Sequence, residues 1–142
     1  LEEPTIPEDY SGHNRILVEG GVPISAGENL HTIYDFQHIL QANGVSYIEP
    51  DVSNCGGITV WMKVAKLAEA KNLPVTSHGV HDIHVHLLGA VPNASYLEVH
   101  GFGLERFILE PLVVKDGFAL AGEAPGHGID FNWDGLCAHT SD

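Results

Sequence analysis

Residues 45–80, VSYIEPDVSNCGGITVWMKVAKLAEAKNLPVTSHGV, hold one complete strand–helix–strand unit with a polar residue at each strand end. Val45 to Ile48 is a short run that reads as a strand. Ile58 to Ala70 carries apolar residues at 58, 61, 62, 64, 65, 67 and 68, with lysines among the rest, which is helical spacing. Asn72 and Pro74 end that helix, and Val75 to Ser77 reads as the next strand. Asp51 stands just past the first strand and His78 just past the second.

The same rhythm extends in both directions. Val22 to Ala26 reads as a strand after the Gly20-Gly21 break. Ile33 to Ala42 has helical spacing at Ile33, Phe36, Ile39 and Leu40 and is stopped by Asn43-Gly44. Val80 to Val91 reads as a helix and Tyr96 to Val99 as a strand. Strands alternating with helices across short connections predict a parallel α/β architecture. Beyond residue 106 the pattern changes. Leu112 to Leu120 predicts a hairpin around Asp116-Gly117. The Gly-rich stretch from Pro125 leads to a last short strand, and the tail from Cys137 onward is expected to be mobile.

Composition narrows the function classes. The 19 acidic residues exceed the 6 basic ones, a formal net charge of −13. No basic patch exists to bind phosphates, so nucleic acid is not an expected partner. No apolar run reaches membrane-span length, and no membrane partner is expected. The two cysteines make no disulfide framework, which fits a reducing, cytoplasmic setting.

Ionisable residues recur where strands end: Glu2, Glu28, Asp51, His78 and Glu98, each separated from the next by about one βα unit. In a parallel barrel every strand delivers its C-terminal end to one face, where active sites form. These residues are therefore expected to meet at one mouth. Carboxylates gathered there make an all-oxygen site for a hard cation, Mg2+ being the usual choice. Asp51 beside His78 would orient the imidazole and tune it as an acid or base. A divalent ion facing such a base suits removal of a proton next to a carboxylate.

Glu2-Glu3-Pro4-Thr5, Pro23-Ile24-Ser25-Ala26-Gly27-Glu28, Glu49-Pro50-Asp51-Val52 with Gly56-Gly57-Ile58-Thr59, Ser77-His78 and Leu97-Glu98 together resemble the enolase superfamily, in its mandelate racemase branch. The resemblance implies the C-terminal half of a modified TIM barrel of the (β/α)7β type. Residues 1–110 would run from the end of strand four to strand eight. Residues 111–142 would form a hairpin and tail returning toward an N-terminal capping domain. It further implies that Glu2 and Glu28 bind Mg2+, that Asp51 and His78 form the dyad, and that Glu98 hydrogen-bonds a substrate carboxylate. The third metal ligand, the base on strand two and the capping domain would all precede Leu1. Such a half is expected to need its missing N-terminal part, and homo-oligomers are expected.

Asn29, His31, Asn54 and His81 are candidate substrate contacts. They suit a polyhydroxy acid, so the expected reaction is dehydration of an acid sugar, with racemisation or epimerisation of a 2-hydroxy acid as the alternative. A non-catalytic half-barrel or interaction module is a reading of another class, and a zinc module on His81 and His84 a further one. His84 and His86 are expected to be structural. Glu3 is expected to support the mouth from behind, Glu49 and Glu19 to be solvated or structural, and Cys55 to be buried packing. Trp61 and Met62 are expected on the helix face that packs on the barrel.

Overall fold

The computed structural model describes residues 1–139. Five chain segments lie side by side and parallel, in sequence order. Glu2 pairs with Ser25. Strand β1 (Ser25–Ala26) pairs with β2 (Tyr47–Ile48) in the register Ser25 with Tyr47 and Ala26 with Ile48. Ile48 pairs with Val75, and Val75 with Ala94. This is the singly wound order of a parallel barrel wall. Among the described residues the sheet does not close on itself.

The regular strands are shorter than the apolar runs predict. β1 and β2 span two residues each, and Val75 makes only isolated bridges, one on each side. The last strand is also displaced. Pairing falls at Asn93 to Ser95, with Val75 N donating to Asn93 O and Ser95 N to Val75 O, not at Tyr96 to Val99. Over 96–99 side-chain hydroxyls replace the ladder: Thr76 Oγ1 donates to Tyr96 O at 2.7 Å, and Ser77 Oγ accepts from Glu98 N at 3.3 Å. The Asn93 amide secures the displaced strand by donating to Ala65 O and Leu73 O.

The helices are α1 (Tyr10–Gly20), α2 (Ile33–Gln41), α3 (Ile58–Glu69) and α4 (His81–Gly89). Helix α2 opens with a reciprocal capping box between Thr32 and Asp35, which satisfies two otherwise orphaned backbone donors. α2 and α3 stop alike. Asn43 and Asn72 take left-handed backbone, and Gly44 N and Leu73 N turn back to Ile39 O and Ala68 O. Phe36, Ile39, Trp61, Val64 and Ala68 from these two helices are fully buried with Ile24, Ile48 and Val75 from the sheet. Met62 packs against this core from its margin. Helix α1 is not foreseen from sequence, because its only fully buried residue is a histidine, His13.

The C-terminal part holds a short 3-10 turn (Leu104–Phe107), the hairpin β3 (Val113–Lys115) and β4 (Phe118–Leu120), and α5 (Trp133–Cys137). Asp116 and Gly117 both have positive φ, as a two-residue hairpin turn requires. The short strand expected after the Gly-rich stretch is a single antiparallel bridge from Phe131 to Ile108. Cys137 is the last residue of α5. The rest of that expected tail, residues 140–142, lies outside the described residues. No helix among the described residues is long and apolar enough to cross a membrane.

Candidate active site

The strand ends put Glu2, Glu28, Asp51, His78 and Glu98 on one rim. His78 is the hub: its Nδ1 lies 3.1 Å from Asp51 Oδ2, and its Nε2 makes a close ion-pair contact with Glu28. Asp51 has its other oxygen filled by Ser53, whose N–H and hydroxyl both donate to Oδ1 at 2.7 Å. Burial raises the Asp51 carboxyl, but the Ser53 and His78 hydrogen bonds outweigh it and hold the group below its usual value. Burial lowers the His78 imidazole, but the bond to Asp51 and the charges of Glu28 and Glu98 carry it above its usual value.

Two glycines let these residues approach. Gly79 has φ +78°, and a Cβ there would stand 2.6 Å from Asp51 Oδ2. Gly27 has φ +151°, and its Cβ would stand 2.6 Å from Glu49 O. Both positions therefore exclude a side chain for want of room as well as for conformation. Trp61 Nε1 donates to Pro50 O at 3.1 Å, which ties the loop bearing Asp51 to α3.

The candidate substrate contacts fare differently. Asn29 Nδ2 donates to Glu3 Oε2 at 2.6 Å and to Glu28 Oε1 at 2.9 Å. Asn54 Nδ2 donates to Glu28 O at 3.2 Å. Both brace Glu28 and its loop. Glu3 does the same from behind, accepting from Gly27 N and Asn29 N. His81 lines a cavity of about 480 Å3 beside Asp51, His78, His100 and Phe102. His31 is exposed and makes no hydrogen bond or ion pair with the cluster among the described residues.

Among the described residues, the group of side chains placed to hold a metal ion does not include the other helix histidines, His84 and His86. His84 is fully buried and its Nε2 accepts from Val52 N at 3.1 Å. Cys55 is buried, and burial with the nearby Asp51 charge pushes its thiol up to about 11, so it is packing and not a nucleophile.

Sequence reasoning passes over His100. Its Nε2 lies 2.6 Å from Glu98 Oε2, its ring meets that of His78 edge-on at 4.8 Å between centroids, and Phe102 stacks on it at 4.3 Å. The signal was the Glu98-Val99-His100 spacing, since residues two apart on extended chain share a face. His78, Glu98 and His100 offer donor atoms that all lie within 4.8 Å of one another.

Glu49 is not solvated. It is 7% exposed, and its Oε2 has no hydrogen-bond partner among the described residues. Burial pushes its carboxyl up to about 7, with a Ser25 hydrogen bond opposing and the charges of Glu2 and Glu98 adding. Unfolded, the group ionises near 4.5, so the folded state holds more protons between there and about 7, and stability falls as pH rises across that window. His84 acts in the opposite sense. Burial draws it down to about 4 from 6.5, so its contribution is lost as pH falls through that range. A Glu49→Gln variant is expected to gain stability relative to the parent between about pH 5 and about pH 7. Urea unfolding at both values checks this, and an equal difference at each would refute it.

The chain belongs to the Enolase C-terminal domain-like family, which it matches over residues 1–135, within the mandelate racemase branch of the enolase superfamily. A 3,6-anhydro-alpha-L-galactonate cycloisomerase of Streptomyces coelicolor is 52% identical over 136 residues, covering 96% of this chain and 38% of that protein. A crystal structure of a racemase from Streptomyces coelicolor with bound magnesium superposes with a TM-score of 0.92 at 49% identity, over 96% of this chain and 38% of that one. L-talarate dehydratase from Polaromonas, complexed with Mg and L-glucarate, gives 0.86 at 32% identity, over 92% and 36%. The chain thus spans well under half the length of these relatives.

Proposed function

We propose that a polypeptide carrying this chain removes the proton next to the carboxylate of a small hydroxy acid or sugar acid with help from Mg2+, and that the net outcome is an isomerisation. The observation that carries the chemistry is His78 held by Asp51 at the same rim as Glu2, Glu28 and Glu98. The preference for isomerisation rests on the relatives at 52% and 49% identity, named a cycloisomerase and a racemase, against 32% for the dehydratase.

The residues fit a hard cation. Burial raises the Glu2 carboxyl, and repulsion from Glu98 and Glu28 raises it further, with His78 opposing. A divalent ion held by the oxygens of Glu2 and Glu28 would relieve that excess of negative charge. When bound, it supplies positive charge that stabilises the enediolate formed after proton loss. Asp51 takes the Nδ1–H of His78, and Nε2, once released from its contact with Glu28, moves the substrate proton. Glu98 hydrogen-bonds the substrate carboxylate.

Three outcomes share this first step. Return of the proton on the other face gives racemisation. Expulsion of a free β-hydroxyl gives dehydration. Expulsion of a β-oxygen that belongs to a ring keeps the leaving group in the molecule and gives an isomer. Dehydration of an acid sugar stays as the second reading, supported by the dehydratase relative.

The test is turnover of open-chain and cyclic sugar acids in D2O by the full-length polypeptide, followed by NMR and mass. The expected product keeps the substrate's atoms and disappears when Mg2+ is chelated; solvent deuterium enters at the carbon next to the carboxylate if the proton is returned, and one carbon further along if a ring oxygen is expelled. A product lighter by one water would favour dehydration. Turnover persisting after exhaustive chelation would remove the metal from the reaction.

A further inference from the structure

We propose that His78, Glu98 and His100 form a second metal site, selective for a zinc-like transition ion, whose occupation blocks the acid–base chemistry of His78. Two imidazole nitrogens and one carboxylate oxygen are a donor set that suits Zn2+ and leaves a fourth position open. Mg2+ disfavours such a set and takes oxygens, so the two sites differ in chemistry.

The geometry supports capture. The three donor atoms already lie within 4.8 Å of one another. Donors around a tetrahedral zinc stand roughly 3.4 Å apart, given bonds of about 2.0–2.1 Å. Reaching that spacing means opening the 2.6 Å contact between His100 and Glu98 and drawing in the more distant donor, and the three side chains lie at the rim with 20%, 34% and 19% of their surface exposed. His78 Nδ1 faces Asp51 Oδ2, which is the carboxylate support that fixes a ligating histidine and directs its Nε2 outward. His100 is fixed too: Phe102 stacks on its ring, and its backbone N–H donates to His81 Nδ1 at 3.3 Å. Zinc on His78 Nε2 would replace the Glu28 contact there or take Glu28 as its fourth donor. Either way the nitrogen that would accept the substrate proton is occupied.

The binding does not depend on the reaction proposed above; the inhibition does. Zinc is titrated calorimetrically into the full-length polypeptide with Mg2+ in large excess. One ion per chain is expected to bind, with affinity lowered about 10-fold or more in His100→Gln and, separately, in Glu98→Gln. His86→Gln, on α4 and outside the three proposed ligands, should leave the affinity unchanged. No zinc binding over Mg2+, or an affinity indifferent to both His100→Gln and Glu98→Gln, overturns the site. Loss of turnover with the same zinc midpoint supports the inhibitory role, and full turnover with zinc bound overturns it.

Discussion

A His78→Asn substitution is expected to lower turnover by about 10²- to 10⁴-fold, the range for loss of a positioned acid–base group. Asparagine retains an N–H that can face Asp51, and His78 is not part of the hydrophobic core, so folding should be preserved. The effect should fall on kcat more than on KM, and exchange of the substrate proton with solvent deuterium should stop as well. Turnover kept within a factor of about ten would remove His78 from the proton transfer.

Trp61→Ala is expected to cost about 3–5 kcal/mol, as other buried Trp and Phe truncations do. Trp61 is fully buried in α3, and the change also leaves Pro50 O without its indole donor. Against a typical domain stability of about 5–15 kcal/mol this is a large fraction. Trp61→Phe separates the two contributions. It keeps most of the volume, and its loss, expected at about 1–3 kcal/mol, reports the stranded carbonyl. Denaturant unfolding of both variants measures this, and a loss below about 1 kcal/mol for Trp61→Ala would contradict the packing described.

The sequence reveals α2 and α3 because their apolar faces recur at helical spacing and both have left-handed asparagine stops. The strand ends are legible through the ionisable residues after them, even though the regular strands are only two residues long. The last strand is misplaced from sequence because Tyr96 to Val99 looks apolar, whereas the pairing depends on the Asn93 side chain and on two hydroxyls. α1 hides because a histidine, which periodicity counts as polar, occupies its buried position. Asn29 and Asn54 read as substrate contacts by residue type, and what the sequence does not show is that both also hydrogen-bond Glu28. Glu49 reads as either solvated or structural because no sequence pattern reports which face of a two-residue strand end turns inward, and it is buried.

The hydroxyl bonds of Thr76 and Ser77 divide the rim mechanically. Asp51 and His78 follow segments fastened by main-chain pairing on both sides, through Ala26, Ile48 and Val75. The segment carrying Glu98 and His100 hangs beyond its last main-chain bond, from Thr76 Oγ1 and Ser77 Oγ. Hydroxyls rotate where peptide groups cannot. One jaw of the rim is therefore bolted through peptide groups, and the other is pinned through side chains, Thr76, Ser77 and His81 among them.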